Sequence, residues 1–219
     1  MTRQKNTAAR FARAYLDGLC GLIAKVDERK IAELIQEFQR AYDDDRQIFI
    51  IGNGGSAGTA SHMACDLAKT VLGKKPDQSK RRFRVMSMTD NVPLITALGN
   101  DLGYEHIFTE QLILYARPGD LLLVITGSGN SANIVKAAEL ARTMGLRTAG
   151  MLGFDGGLVK SFLDTVMLVP DFTYGYVEDV HMVIDHLITG YFSLQFADSS
   201  RKKVRLIMRR GKVSAKTDA

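Results

Sequence analysis

The pattern of apolar and polar positions divides the chain into a helical N-terminal part and a longer part built from short apolar runs. In the first 46 residues, apolar side chains recur every three or four positions, as on one face of an α-helix. This spacing predicts helices over residues 7–24 and 28–44. Their apolar stripes need a partner, so we expect the extension of residues 1–46 to lie in an interface between subunits.

Five β-rich runs follow this extension, and each one leads into a helical stretch. The predicted strands are residues 47–53, 82–88, 120–127, 147–153 and 165–171. The predicted helices are residues 56–73, 92–103, 105–116, 131–144 and 176–197. The runs are continuously apolar, which is typical of strands buried on both faces. Strand–helix alternation at this spacing predicts an α/β fold with a doubly wound parallel sheet.

Neither a linker nor an internal repeat interrupts this alternation. We therefore expect a single domain, in which the helical extension is followed by an α/β body over residues 47–200 and a basic tail over residues 201–219. The longest apolar runs are far shorter than the roughly 20 residues that cross a bilayer. The N-terminus lacks the apolar segment of a secretory signal. Two cysteines among 219 residues suit a reducing compartment, so we expect a cytoplasmic protein without a membrane partner.

The net charge of +5 arises from the tail rather than from the body of the protein. Residues 201–219 contain eight basic residues and one acidic residue, whereas the other 200 residues contain 21 basic and 23 acidic ones. Nothing in the tail resembles an organised nucleic-acid recognition module. We expect a solvated end and no nucleic-acid partner. The alternative is a tail that contacts a polyanion or an acidic neighbour.

Two loops rich in glycine and hydroxyl side chains follow the first and third predicted strands. They are GNGGS at residues 52–56 and TGSGNS at residues 126–131, and each leads into a helix. Ligands of doubly wound sheets bind beyond the carboxyl ends of the strands, where free N–H groups at helix N-termini attract anions. The loops lack the P-loop and dinucleotide motifs, so they predict binding of a phosphate monoester. The alternative is a pair of tight turns in which Ser caps the helix.

Titratable residues cluster on two of the predicted helices. His62, Cys65 and Asp66 share one helix face, and a His and an Asp four residues apart can present two ligands to one metal ion. The second group lies near the start of the last helix and comprises Glu178, Asp179, His181, Asp185 and His186. Taken alone, both patterns are also typical of solvated helix faces.

Together these loops and helices resemble the SIS (sugar isomerase) domain family, in its phosphoheptose isomerase branch. The matching segments are residues 52–67, 96–101, 125–142, 153–157 and 177–188. The resemblance implies a flavodoxin-like, five-stranded parallel sheet and a homotetramer with active sites at subunit interfaces. It also implies that the substrate is a phosphorylated sugar, sedoheptulose 7-phosphate.

The resemblance assigns binding residues by position. Those around the phosphate are Ser56, Thr126, Gly127, Ser128 and Ser131. Those around the sugar are Asn53, Gly54, Gly55, Asn100, Asp101 and Glu178. Gly127 stands where the family has Thr, so one hydroxyl contact to the phosphate is missing here.

The resemblance further implies a metal site formed by His62, Asp66, Glu178 and His186, a ligand set that suits Zn²⁺. Asp66 replaces the family's catalytic Glu and is expected to be the base, although Glu178, which replaces Gln, could take over. His186 is the expected acid. Glu178 and His186 are eight residues apart, about 12 Å along a straight helix. Either Glu178 precedes the helix, or the ligands come from different subunits.

The resemblance therefore predicts an aldose–ketose isomerase that makes D-glycero-D-manno-heptose 7-phosphate through an enediolate, for bacterial surface glycans. One alternative is a non-catalytic SIS protein that acts as a partner of the replication initiator. Another is an isomerase or sensor of a different sugar phosphate. The combination of Asp66, Glu178 and His186 favours the enzyme, because a binding protein needs no acid–base pair.

Overall fold

The computed structural model describes residues 2–73, 78–79, 81–198, 204–209 and 212–217. The helices are α1 (Thr2–Ile23), α2 (Glu28–Asp43), α3 (Gly55–Ala68), α4 (Val92–Asp101), α5 (Thr109–Tyr115), α6 (Ala132–Thr143) and α7 (Tyr174–Asp198). The strands are β1 (Gln47–Ile51), β2 (Arg84–Ser87), β3 (Leu121–Thr126), β4 (Arg147–Gly153), β5 (Thr165–Val169), β6 (Val204–Arg209) and β7 (Lys212–Thr217). Short 3₁₀ helices cover Thr70–Leu72, Tyr104–His106 and Leu158–Phe162.

Strands β1 to β5 form one sheet in the order β2-β1-β3-β4-β5, and every neighbouring pair is parallel. The predicted doubly wound α/β fold is confirmed. The chain moves outward from β1 in one direction to reach β2 and in the other to reach β3, β4 and β5. A crevice therefore opens between the carboxyl ends of β1 and β3, which is where ligands of such sheets bind.

Helices cover both faces of this sheet and bury it. On one face, α2, α3 and α7 contribute buried side chains such as Phe38, Met63 and Ile184. On the other face, α5 and α6 contribute buried side chains such as Leu112 and Ile134. All six residues of β3 are buried, since the strand lies at the centre of the sheet. This two-sided burial explains why the predicted strands are continuously apolar.

The N-terminal extension packs against the sheet domain with only part of its surface. α2 begins at the N-cap Asp27, whose side chain accepts a hydrogen bond from the Arg29 amide. Buried Glu37 of α2 accepts charge-assisted hydrogen bonds from Arg147, the first residue of β4. In α1, the Tyr15 hydroxyl donates to Asp179 of α7 over 2.7 Å. The helical character that the sequence predicts for this region is confirmed.

The basic tail contains the antiparallel hairpin β6–β7, with Val204 opposite Thr217. No strand was predicted in the tail, because its apolar residues are interspersed with Lys and Arg and form no run like those of the buried strands. No helix within the described ranges is both long enough and apolar enough to cross a membrane.

Candidate active site

The first glycine-rich loop connects β1 to α3 through a turn that requires glycine. Gly54 has a φ of +55°, in the region that favours glycine, and it is the N-cap of α3. A Cβ atom on Gly52 would lie 2.6 Å from the backbone of Ser56, so only glycine allows the turn to close. Ser56 thus lies inside the helix, and the predicted alternative of a Ser cap does not describe this loop.

A pair of asparagines joins the two loops across the crevice. Asn53, in the first loop, donates to Asn133 over 2.9 Å and accepts from the same residue over 2.8 Å. Asn133 is buried in the first turn of α6, directly after the second loop. The Tyr104 hydroxyl also donates to the Asn53 side-chain oxygen, over 3.1 Å. These bonds hold the carboxyl ends of β1 and β3 in fixed register at the crevice.

The second loop, between β3 and α6, is held by its own hydroxyls and by the turn at residues 156–157. The Thr126 hydroxyl accepts from the Gly129 amide over 3.2 Å. Gly129 has a φ of +68°, and a Cβ atom there would collide with the carbonyl oxygen of Gly156. Ser131 is the N-cap of α6, but its side chain makes no capping hydrogen bond with the residues described. The Ile134 amide donates to the Asn133 side-chain oxygen, so the first-turn donors available to an incoming anion are the Ala132 and Asn133 amides.

An aromatic side chain occupies the space that a side chain on Gly127 would fill. A Cβ atom on Gly127 would lie 2.8 Å from the Tyr174 ring, which therefore lies over the loop. Tyr174 in turn packs edge-on against Phe154. The sequence predicted neither contact, because these residues come from three separate segments and share no motif.

The expected sugar-binding residues approach the first loop from two directions. Asn100 and Asp101 end α4, where the Asn100 side chain donates to the Asp101 carboxylate over 2.7 Å. This end of α4 is followed by the 3₁₀ turn whose Tyr104 contacts the loop. From the other side comes Glu178, since a Cβ atom on Gly55 would lie 2.5 Å from both of its carboxylate oxygens.

Glu178 lies within α7, which begins at Tyr174. The possibility that Glu178 precedes the helix is therefore wrong. Its carboxylate lies beside Gly55, the first residue of α3 and part of the expected sugar-binding loop. In a single chain, the structure does not bring Glu178 together with His62, Asp66 and His186.

His62, Asp66 and His186 instead lie close to the carboxylate of Asp185. The potential ligand atoms of His62, Asp66, Asp185 and His186 all lie within 4.8 Å of one another, on the packed helices α3 and α7. The two histidine Nε2 atoms are 3.1 Å apart, and the Asp66 Oδ2 atom is 3.6 Å from the His62 Nε2 atom. Both histidines are exposed, so this cluster opens to the surface.

Asp185 is the buried member of the cluster. Its Oδ1 atom accepts from the Thr189 hydroxyl over 3.4 Å, whereas its Oδ2 atom has no hydrogen-bond partner among the described residues. Burial raises the pKa of Asp185 to about 7; nearby His62 opposes this rise and Asp66 adds to it. The only sequence signal for this residue is its position beside His186, and it was assigned no role.

Asp66 itself is held on the side of α3 that faces the cluster. Its Oδ1 atom accepts a hydrogen bond from the Thr70 hydroxyl over 2.8 Å, and its Oδ2 atom faces His62. α3 thus begins at the first loop and presents a carboxylate and an imidazole two to three turns later. A carboxylate and imidazoles placed in this way can exchange protons with a bound molecule that reaches the cluster.

A second buried titratable group, His181, lies one turn before Asp185. The ring is almost fully enclosed, and neither nitrogen has a hydrogen-bond partner among the side chains and backbone described. Burial lowers the pKa of His181 to about 4, with the Leu152 backbone opposing it weakly. In the unfolded chain the His181 ring therefore takes up a proton below about pH 6.5. In the folded protein the same ring stays neutral until the pH approaches 4.

Acid should therefore destabilise the protein through His181. Between pH 7 and pH 4, we expect the unfolding free energy of the wild type to fall by about 3 kcal/mol more than that of His181→Leu. Urea unfolding of both proteins at the two pH values measures this difference, and effects of other groups are common to both. An equal loss in the two proteins would contradict a buried neutral histidine.

Comparison with known proteins places this geometry in one family. The sequence profile of the SIS domain family matches residues 14–153. The phosphoheptose isomerase of Pelobacter propionicus is 34% identical over 76% of this chain and 86% of its own length. That of Akkermansia muciniphila is 38% identical over 65% of this chain and 72% of its own length.

The solved structures agree with the sequence relatives. The structure of the phosphoheptose isomerase of Neisseria gonorrhoeae superimposes with a TM-score of 0.75 and 26% identity. The match covers 87% of this chain and 98% of that one. The family profile covers both glycine-rich loops and α3, whereas α7 lies beyond the residues that it matches. The chain therefore belongs to the SIS domain family, in its phosphoheptose isomerase branch.

Proposed function

We propose that the protein is an aldose–ketose isomerase that converts sedoheptulose 7-phosphate into D-glycero-D-manno-heptose 7-phosphate. One observation carries the proposal: α3 begins at the glycine-rich first loop and presents Asp66 and His62 against His186 of α7. A single rigid element thus links the expected phosphate site to an acid–base cluster. The relatives named phosphoheptose isomerase support the same activity.

The two loops hold the substrate in this mechanism. The phosphate binds to N–H groups and hydroxyls of the loop residues, which are Ser56, Thr126, Ser128 and Ser131. The sugar contacts Asn53, Gly54, Gly55, Asn100 and Asp101, with Glu178 beside Gly55. Gly127 leaves room for Tyr174 rather than adding a hydroxyl.

Asp66 removes a proton from the carbon beside the carbonyl, which gives an enediolate. His186 gives a proton to the neighbouring carbonyl oxygen and then takes the proton of the hydroxyl on the first carbon, while protonated Asp66 delivers its proton to the neighbouring carbon. Two protons therefore leave the substrate and two return. Glu178 is the alternative to Asp66 as the base, because its carboxylate also lies beside the expected sugar site.

We propose a divalent cation, Zn²⁺, as the cofactor. Zn²⁺ binds imidazole nitrogens and carboxylate oxygens in proteins, and the side chains of His62, Asp66 and His186 present such ligand atoms close together. When bound there, the ion would stabilise negative charge on the substrate oxygens. Glu178, the fourth ligand expected from the resemblance, could join them only from a partner subunit.

The test of the function is direct turnover of sedoheptulose 7-phosphate by the purified protein, with and without a chelator. Formation of the aldose is the expected result. A protein without turnover that binds the replication initiator would be the non-catalytic alternative, and turnover of a hexose phosphate alone would reassign the substrate.

Exposed Cys20 and Cys65, which form no disulfide, support the cytoplasm as the proposed location.

We also propose a homotetramer with α1 in an interface. Phe11 and Leu16 of α1 are 71% and 51% exposed, and a partner subunit would cover such apolar side chains. Light scattering at micromolar concentration should give a mass of four chains. A fully active monomer would overturn both the assembly and an active site at an interface.

Phosphate affinity should reside in the loops and not in the basic tail. Ser128→Ala should raise the KM for sedoheptulose 7-phosphate by about 10- to 150-fold, because a hydrogen bond to a charged group contributes about 1.5–3 kcal/mol. Deletion of residues 201–219 should leave the KM nearly unchanged. Steady-state kinetics of the two variants provide the measurement, and the opposite pattern would make the tail the anion site.

A further inference from the structure

We propose that Asp185, and not Glu178, is the second carboxylate ligand of the metal ion, so that one chain supplies all four protein ligands and a substrate oxygen would add as a fifth. The inference deepens the proposed function and rests on it, because that function gives the bound ion its role. It concerns a residue that neither the sequence pattern nor the family resemblance assigned to the site.

The positions of the donor atoms favour this set. Ligands 2.0–2.1 Å from a tetrahedral zinc ion lie about 3.3 Å from each other. The Nε2 atoms of His62 and His186 are 3.1 Å apart, and the Asp66 Oδ2 atom is 3.6 Å from the first of them. One carboxylate oxygen of Asp185 lies in the same group, within 4.8 Å of the other donor atoms. Small side-chain adjustments would therefore be enough to surround one ion.

The burial of Asp185 points to a missing partner. The residue has no exposed surface, and its Oδ2 atom accepts no hydrogen bond from any described residue. An unpaired carboxylate in such a place is costly, and proteins compensate for it with a countercharge or a metal ion. One oxygen of this carboxylate belongs to the same compact group of donor atoms as both imidazoles. A cation at this point would satisfy it.

The Glu178 carboxylate lies at a different point along α3 and α7 from the donor group. It lies against Gly55 at the start of α3, whereas His62 is seven residues further along that helix. The backbone positions of Gly55 and His62 are about 10 Å apart along the helix axis, and the Glu178 carboxylate is not part of the donor group that contains His62. With Asp185 as the ligand, Glu178 remains free to face the sugar.

Metal binding tests this assignment without reference to turnover. Metal-free wild type, Asp185→Asn and Glu178→Gln would be titrated with Zn²⁺ against a chromophoric chelator. Each substitution removes one negative charge from α7, so the two variants are matched. We expect Asp185→Asn to weaken Zn²⁺ binding by about 100-fold or more, beyond the effect of losing an outer-shell partner, and Glu178→Gln to bind as the wild type does.

Two further measurements keep the test decisive. Thermal unfolding of the metal-free proteins shows whether Asp185→Asn is folded, and added Zn²⁺ should raise the Tm of the wild type and of Glu178→Gln only. Substitution with Co²⁺ should give a visible spectrum that changes in Asp185→Asn. His62→Gln, which loses an expected ligand, is the positive control.

Three results would overturn the assignment: equal Zn²⁺ affinity in Asp185→Asn and wild type, loss of affinity in Glu178→Gln, or no binding by the wild type. Turnover is assayed separately. Expected metal binding without turnover would reject the isomerase and leave the ligand assignment standing. Turnover by a protein that binds no Zn²⁺ would reject the assignment and leave the isomerase standing.

Discussion

Asp66→Asn should lower the turnover of sedoheptulose 7-phosphate by about 10²- to 10⁴-fold, the usual contribution of a positioned general base. The substitution keeps the shape of the side chain and the hydrogen bond from Thr70, but it removes the basic oxygen that faces His62. His186→Gln should cause a comparable loss, because it removes the expected acid. Initial rates at saturating substrate measure both effects.

Controls must separate the loss of a base from the loss of a metal ligand. Bound metal and oligomer mass are therefore measured for each variant. Asp44→Asn is the matched control, since this exposed C-cap residue of α2 lies near the amino end of β1, away from the site, and should keep full turnover. Near wild-type turnover in both Asp66→Asn and His186→Gln, with metal and assembly intact, would overturn the mechanism in favour of the non-catalytic alternative.

Glu178→Gln decides which carboxylate is the base. The variant restores the residue expected in the family and keeps a polar group beside Gly55. If Asp66 is the base, as we expect, the variant retains most of its turnover. If Glu178 has taken over, the variant is almost inactive while Asp66→Asn retains some turnover.

Gly129→Ala should disrupt the second loop and destabilise the protein by about 2–5 kcal/mol. The added Cβ atom would collide with the carbonyl oxygen of Gly156, and the φ of +68° is unfavourable for alanine. Because the backbone on both sides must shift, we also expect a larger rise in KM than in Ser128→Ala. Denaturant unfolding and steady-state kinetics measure the two effects.

The matched control for this substitution is Gly58→Ala. Gly58 lies inside α3, and a Cβ atom there would have no neighbour within 4 Å. Alanine should stabilise the helix by about 0.5–1 kcal/mol and leave the loop unchanged. A Gly129→Ala protein as stable as the wild type, with an unchanged KM, would show that the loop can adjust to a side chain.

The local patterns of the chain were sufficient to predict its elements. The apolar run of β3 and the periodic helices α2 and α6 each reflect burial that neighbouring residues in the sequence reveal. The glycine-rich loops could be found for the same reason. The hairpin β6–β7 could not, since its residues lack the continuous apolar character of the buried strands.

The parts of the site that depend on packing between distant segments could not be predicted from the residues alone. Whether Asp185 or Glu178 meets His62 depends on how α7 lies along α3, and an eight-residue interval in the sequence does not determine this. The same holds for Tyr174 over Gly127. A residue's position within a helix predicts its face, but not the residue on the opposing helix.

The continuity of α3 between the loop and the cluster limits how the substrate range of this protein can evolve. Inserting one residue between Ser56 and His62 would lengthen the helix by only 1.5 Å but would turn everything beyond it by about 100°. Asp66 would then no longer face His186 of α7. Selection for a protein that accepts a longer or shorter sugar must therefore change the loops, the end of α4 and the subunit contacts, while the length of α3 stays fixed.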